Sequence, residues 1–560
     1  MIALTVLLPL YTRGTYVMLG DSKYTLFRNV SLFCLGLAGA ALLAGRFERA
    51  AARRKAGSNP VGLKSEWSVG WNGQHAAGKQ IFSSVDICVL CYGCAVVVSA
   101  LCSSYGETPW TGYREWYMGA FSQLIFVLIY FLFSRQYQGS VYSVYMLEAA
   151  FFFVVLLGLC SRLGWDPLNL MDGFHTGDWE YSHLISTIGN INWFCGYCSV
   201  ALAMPVAGYL KCRDRKKQIF LYTTSVLGLI LLCIQGSDVG PVLAATCLGV
   251  CLLLGRKNAS AYGRSLLLAA GMAFGLPCYS GLVLLLGDEA RKALPADGPG
   301  LYTFGWAGWW LLGLVCVGMY LIIRRLSDSR CEPERTESVI KGLWLGTVIL
   351  GAAVLTVGSV LYLIRISGNE DWIRGRGALW RLSWQGFLRG GWKQKLLGAG
   401  PDCFAEYIYS MFNPEELMVV EGHWAGATFA NAHNQWLNHL VNTGFLGLCS
   451  AAGIGIAALR RYRHYWPGIL AIAMYGVNSL VSFQQVLSTP LFFLMLGICE
   501  HMLRRQSKKN KELNSNEIGG LYHENVEKGK DPDQNSVFCG DRSAYCSTCS
   551  SFLDSALQLF

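Results

Sequence analysis

Four arginines and one histidine are the residues of this chain best suited to chemistry. Arg374, Arg376, Arg381 and Arg389 lie in a polar stretch that opens Gly375-Arg376-Gly377-Ala378-Leu379-Trp380-Arg381 and runs on to His433-Asn434-Gln435-Trp436-Leu437. Guanidinium groups grip phosphate oxygens through paired, charge-assisted hydrogen bonds. Arg374, Arg376 and Arg381 are close enough in sequence to converge on one pyrophosphate. His433 directly precedes a helical pattern for which Asn434 is a fit N-cap. The positive end of that helix, with the arginines, lowers the imidazole pKa and keeps it neutral, as a general base requires. A histidine at a helix start also serves purely structural ends, and spacing alone does not choose.

The same stretch has other readings. Trp380, Trp384, Phe387 and Leu388 recur at helical spacing, and Arg381, Gln385 and Arg389 form a second stripe. A helix with tryptophan on one face and arginine on another suits the headgroup plane, where it would anchor the segment. Asn431, Asn434, Asn438 and Asn442 also fall at helical spacing. They are expected to share one face, touching substrate or hydrogen-bonding neighbouring helices. His439 follows His433 by six residues and so points elsewhere. With no carboxylate to complete a ligand set, no metal site is expected. Ser186-Thr187-Ile188-Gly189-Asn190-Ile191-Asn192 reads as a helix-start turn with a good cap. Gly398-Ala399-Gly400 is not preceded by a strand, so no nucleotide site is expected there. Asp86, Glu148 and Asp238 sit within or at the edges of apolar runs, where ionisable groups are functional candidates.

The elements that must position these residues are membrane helices. Of 560 residues, 53% are hydrophobic and 15% charged, against the usual quarter charged in a soluble domain. The charges cluster, leaving runs able to cross about 30 Å of hydrocarbon, which takes roughly 20 helical residues. The expected fold is all-α: a polytopic membrane protein of about 12–14 transmembrane helices with one large extracytoplasmic helical loop. The spans are expected near 1–19, 29–45, 81–103, 117–134, 140–160, 191–210, 218–235, 239–254, 265–286, 302–323, 341–364, 434–459, 466–484 and 488–503. This divides the chain into transmembrane helices over 1–365, the loop over 366–432, further helices over 433–504 and a disordered cytoplasmic tail over 505–560.

Charge orients the spans. The connections at 46–80, 211–217, 256–257, 324–325, 460–463 and 504–505 are strongly basic, whereas 161–190 is mainly acidic. The positive-inside rule puts the basic set and both termini in the cytoplasm. The 366–432 loop then faces outward despite Arg365, Arg374, Arg376, Arg381, Arg389, Lys393 and Lys395. Long loops translocate largely regardless of charge, so the cations serve either a bound anion or nothing in particular. The net charge of +10 is a topology signal and does not imply nucleic acid. Most of the 21 cysteines lie in apolar runs, where cysteine acts as a small hydrophobe. A Cys546-x-x-Cys549 pair in the tail lacks a second pair to complete a zinc site.

Order and topology together resemble a known family. A Gly189-Asn190-Ile191-Asn192 turn enters a span. There follow a large loop with Arg376 and Trp380, Gly398-Ala399-Gly400 with Phe404, His433-Asn434 with Leu437, and Gly444 with Gly447. Over about 185–450 this is similar to the O-antigen ligase and polymerase superfamily of bacterial envelope glycan assembly. The resemblance implies a cofactor- and metal-independent, inverting glycosyltransferase of the bacterial cytoplasmic membrane. Its donor would be an undecaprenyl-pyrophosphate-linked glycan, and its acceptor a glycan, lipid or protein hydroxyl at the outer face. It implies catalytic roles for Arg376 and His433; Arg374, Arg381, Arg389, Asn434 and Asn190 are added as substrate contacts. Ser237-Asp238 stands where many members carry Ser-Arg, and Asn442 where many carry an acid, so ligase and polymerase both stay open. A flippase of lipid-linked glycans is the competing class. It would bind the same diphosphate but needs a midplane site between corresponding broken helices, and no such pair stands out in the sequence.

Overall fold

The computed structural model describes residues 1–56, 82–139, 141–175, 178–292, 306–328, 337–346, 375–422 and 428–507. Among these the chain is helical nearly throughout, the exception being an antiparallel ribbon of β1 (Leu184–Ile185) and β2 (Gly189–Asn190). Seven helices among the described residues are long and apolar enough to cross a bilayer: Tyr16–Glu48, Ser84–Cys102, Tyr142–Arg162, Ile191–Lys211, Arg215–Ile234, Ala259–Leu286 and Trp306–Ser327. Ala120–Gln136 and Val239–Gly255 are shorter apolar helices. The architecture is that of an all-α polytopic membrane protein. Of the expected span at 341–364 the portion from 347 lies outside the described residues, as does the tail from 508.

Local sequence signals set several helix starts. Ser83 and Asp86 form a reciprocal capping box on the helix here labelled α1 (Ser84–Cys102). Asp214 and Asn258 cap Arg215–Ile234 and Ala259–Leu286 by accepting from the backbone N–H three residues on. Chain ends differ from expectation. Residues 1–19 do not form one helix: Ala3–Leu7 and Leu8–Leu10 end where Tyr11 turns extended, and the helix resumes only from Tyr16. The carbonyls of Leu8 and Pro9, left open by that break, accept from the buried Lys23 ammonium at 2.8 and 3.0 Å.

Nine further helices surround the site: α2 (Ile191–Ala201), α3 (Arg376–Arg389), α4 (Trp392–Leu397), α5 (Phe404–Met411), α6 (Pro414–Gly422), α7 (Gln435–Asn442), α8 (Gly444–Arg461), α9 (Trp466–Asn478) and α10 (489–507). The expected span 434–459 is two helices, α7 and α8, parted at Thr443-Gly444, where Gly444 takes φ +65°. The expected span 466–484 stops at Asn478, and the chain stays non-helical to Ser488.

Two ends of the bundle are distinct. At one, Arg461 and Arg504 grip Glu500, while Arg135 and Arg504 pair with the buried Asp86, which also accepts from Tyr130 at 2.8 Å. This joins the basic 460–463 and 504–505 connections. The other end gathers the 103–119, 186–190, 375–422 and 428–434 segments.

Candidate functional site

The described residues 375–422 and 428–432 form a helical unit with its own core. Ala378, Leu379 and Leu382 of α3 pack on Phe404, Tyr407 and Ile408 of α5 and on Leu417 and Val420 of α6. The buried stripe of α3 is thus its small and aliphatic side, not the tryptophan stripe: Trp384 and Leu388 stay exposed. A tight seam fastens this unit to the bundle. Ala399 and Gly400 donate to the Val441 and Asn442 carbonyls, both at 2.9 Å, and Ser99 and Ser103 of the α1 end donate to the Asn442 and Ala399 carbonyls. Glycine is required at two points of this seam. Gly398 (φ +79°) lies against the Asn442 carbonyl, and a Cβ on Gly444 would stand 2.5 Å from the Leu396 carbonyl. The two Gly-x-Gly and Gly-x-x-Gly motifs therefore meet each other, as backbone close-packing rather than a ligand loop. Asp402, itself at φ +61°, completes the attachment: its Oδ2 accepts from Tyr113 N at 2.7 Å and Met118 N at 2.8 Å.

His433 sits at the junction of the unit and the bundle in a left-handed conformation, φ +45°, with its N–H donated to Asn431 Oδ1 at 3.0 Å. Its ring meets the Phe483 edge at 5.1 Å; Phe483 meets Trp116 at 4.8 Å, and Trp116 meets Trp193 at 5.9 Å. That aromatic row links His433 to the first turn of α2, which carries Asn190 and Asn192. Arg376 is half-buried at the first position of α3, which packs against α7. Burial, and secondarily the Arg376 charge, push the His433 pKa down to about 3. The Arg376 charge also bears on Cys195 of α2. Three stretches far apart in the sequence thus come near one another: the 189–193 turn, Arg376 and His433.

The other expected site residues divide. Asn190 Oδ1 accepts from Asn192 N at 2.8 Å and caps α2, and Asn192 Oδ1 in turn accepts from Ser237 Oγ at 2.7 Å. Asn434 Oδ1 accepts from the N–H groups of Trp436 and Leu437 and caps α7. Arg381 is exposed five residues along α3 from Arg376, so the two point roughly 140° apart around the helix. Arg389 does not join the site. It lies at the far end of α3, roughly 20 Å from Arg376 along the axis, and is paired twice with Glu416, at 2.6 and 3.1 Å, above the Phe412 ring. Arg374 lies outside the described residues. The four asparagines do not form one interhelical face. Asn431 and Asn434 bond to local backbone, and Asn438 Oδ1 accepts from Ala432 N at 3.3 Å, because the chain turns at 431–434 instead of continuing a helix.

Asp86 is taken up by the ion pairs at the opposite end, Glu148 is buried in its span, and Asp238 is exposed. No group of three or more His, Cys, Asp or Glu side chains is placed to hold a metal among the described residues.

Sequence reasoning missed Phe483 and its neighbourhood. Residues 479–488 are largely buried though non-helical, and they touch the site: Ser479 O accepts from Gln435 N at 2.9 Å. Non-helical backbone inside a bundle persists only where protein or a polar cavity surrounds it. The signal available was the polar density of Asn478, Ser479, Ser482, Gln484, Gln485, Ser488 and Thr489 between two apolar runs. Compared with known proteins, the chain matches no protein-family model, and no curated protein matches it.

Proposed function

We propose that this protein transfers a glycan from an undecaprenyl-pyrophosphate carrier to an acceptor hydroxyl at the outer face of a bacterial cytoplasmic membrane. The observation that carries the reading is the convergence of Arg376 on His433 beside the Asn190–Asn192 turn. The resemblance noted in the sequence rests on those same residues. The first turn of α3 carries no acidic side chain, so the positive end of that helix and the Arg376 guanidinium together favour a bound phosphate.

In this reaction the acceptor oxygen attacks the anomeric carbon and the bond to the pyrophosphate oxygen breaks. The leaving lipid pyrophosphate takes the electron pair from the opposite side, which inverts the anomeric configuration. Arg376 stabilises charge growing on that leaving group. His433, neutral because burial and Arg376 disfavour its cation, accepts the hydroxyl hydrogen bond and then the proton. An imidazole of so low a pKa is a weak base. A pyrophosphate bound at Arg376 removes the second cause of that lowering, so the donor itself makes His433 more basic.

The test is purified protein in detergent with lipid-linked donor and a panel of hydroxyl acceptors. Transfer is expected, and it needs no bilayer; binding of donor without turnover on any acceptor counts against the enzyme and for a carrier that only moves it.

A further inference from the structure

We propose that the non-helical segment 478–488 is a neutral sugar-binding subsite next to His433, and that it opens to receive the hydroxyls of the glycan. This inference rests on the proposed glycan transfer and adds to it the part of the substrate that the arginines do not read.

Five side-chain atoms within this short stretch are buried with no hydrogen-bond partner: Asn478 Oδ1, Ser482 Oγ, both amide atoms of Gln485 and Ser488 Oγ. Buried polar groups are nearly always satisfied, so such a concentration in one segment asks for a partner. These residues are 1–5% exposed. The segment is nonetheless held at its edges. Gln484 donates to Tyr92 at 2.9 Å, Gln485 N donates to Thr489 Oγ1 at 3.0 Å, and Ser479 is bonded to Gln435.

Placement ties the cluster to the site. A Cβ on Gly196 would lie 3.3 Å from Ser488 Oγ and 3.4 Å from Gln485 Oε1, so both groups back onto α2 at that glycine. Gly196 is one turn beyond Asn192 on the same helix, about 6 Å along the axis. From the other side Phe483, inside the segment, touches the His433 ring.

The chemistry defines the ligand. Residues 478–488 hold amides and hydroxyls and no charged side chain. Such groups both donate and accept, which matches the hydroxyls and amides of a sugar ring and gives no hold on a phosphate. Division of labour follows: Arg376 and the α3 start take the diphosphate, and 478–488 takes the sugar attached to it.

The experiment measures binding of undecaprenyl pyrophosphate and of undecaprenyl-pyrophosphoryl-N-acetylglucosamine to the wild type, Gln485→Met, Ser488→Ala and Arg376→Ala. It also measures thermal unfolding of each ligand-free protein. Gln485→Met keeps volume while deleting both unpartnered atoms, so its unfolding midpoint is expected to stay level or rise by a few degrees. Its affinity for the sugar-bearing lipid is expected to fall about tenfold, with the bare pyrophosphate lipid unaffected; Arg376→Ala is expected to weaken both. Equal affinity of the wild type for the two lipids overturns the subsite and leaves glycan transfer standing. So does an unaltered preference in Gln485→Met, or a marked fall in its midpoint, which would assign the amide to structural water. If the wild type binds neither lipid, the transfer reading fails and takes the subsite with it.

Discussion

The Phe483 ring stands edge-on to the His433 imidazole, centroids 5.1 Å apart and planes at 84°. Fifty residues of chain separate them, including two helices that run to the opposite end of the bundle and back. The contact fixes the orientation of a histidine whose own backbone is already held at φ +45° by the Asn431 side chain. His433 is thus positioned by its neighbours on both sides.

His433→Ala and Arg376→Ala are each expected to lower transfer about 10²–10³-fold, the range for losing a positioned base or an electrostatic donor. Arg389→Ala is expected to stay within a few-fold of wild type, because that guanidinium is engaged by Glu416. Initial rates per folded molecule check all three. Equal losses at Arg376 and Arg389 would overturn the separate roles of the two arginines.

His433 keeps its neutral form to low pH, with a pKa of about 3. The pH profile of kcat/KM, which reads the free protein, is therefore expected to carry no acid limb from His433 between about pH 5 and 7. Its stability contribution has the matching sign. The unfolded imidazole gains a proton that the folded one refuses, so the folded state loses ground as pH falls from about 7 toward 3. In Arg376→Gln the second cause of the shift is gone, and ring-carbon NMR titration should find the His433 pKa higher. No change would place the arginine too far away to matter.

Asp402 is buried where it accepts two backbone N–H groups, and burial raises its pKa to about 7. A carboxyl whose folded pKa is raised stabilises below about pH 4 and loses that contribution as pH rises through about 7. Between about pH 4 and 7 this contribution opposes that of His433, so Asp402→Asn, which keeps both bonds, is expected to give an unfolding midpoint that rises more steeply with pH over that range than the wild type's. Asp402→Ala leaves two N–H groups without an acceptor, a cost of roughly 2–3 kcal/mol. Faster proteolysis of the 375–432 unit would report it.

At the other end, Asp86 is fully buried between Arg135 and Arg504. Asp86→Ala strands Arg135, takes one of two carboxylate partners from Arg504 and removes the capping box of α1, and is expected to destabilise by about 3–5 kcal/mol. Transfer per folded molecule should be unaltered, since this end holds no site residue.

Lys393 and Lys216 are both exposed and sit at opposite ends. A membrane-impermeant amine reagent applied to intact cells is expected to modify Lys393, and Lys216 only after permeabilisation. The reverse pattern would put the candidate site in the cytoplasm and end the proposal.

The all-α, membrane-spanning character was legible in the residues themselves, because hydrophobic run length and charge clustering answer to the bilayer alone. Caps were legible too: Asn434 holds the start of its helix through local backbone bonds that need no distant partner. The N-terminal span was misread because apolar composition does not record where a helix breaks, and the carbonyls freed at Leu8 and Pro9 find Lys23 only in three dimensions. The same limit applies to the arginines. Nothing in spacing separates Arg376 from Arg389, and only packing puts one beside His433 and gives the other to Glu416. The buried 479–488 segment was hidden for a similar reason. The stretch to 484 reads as one span, and whether it continues as a helix or leaves the helix and folds inward against α2 depends on contacts with residues hundreds of positions away.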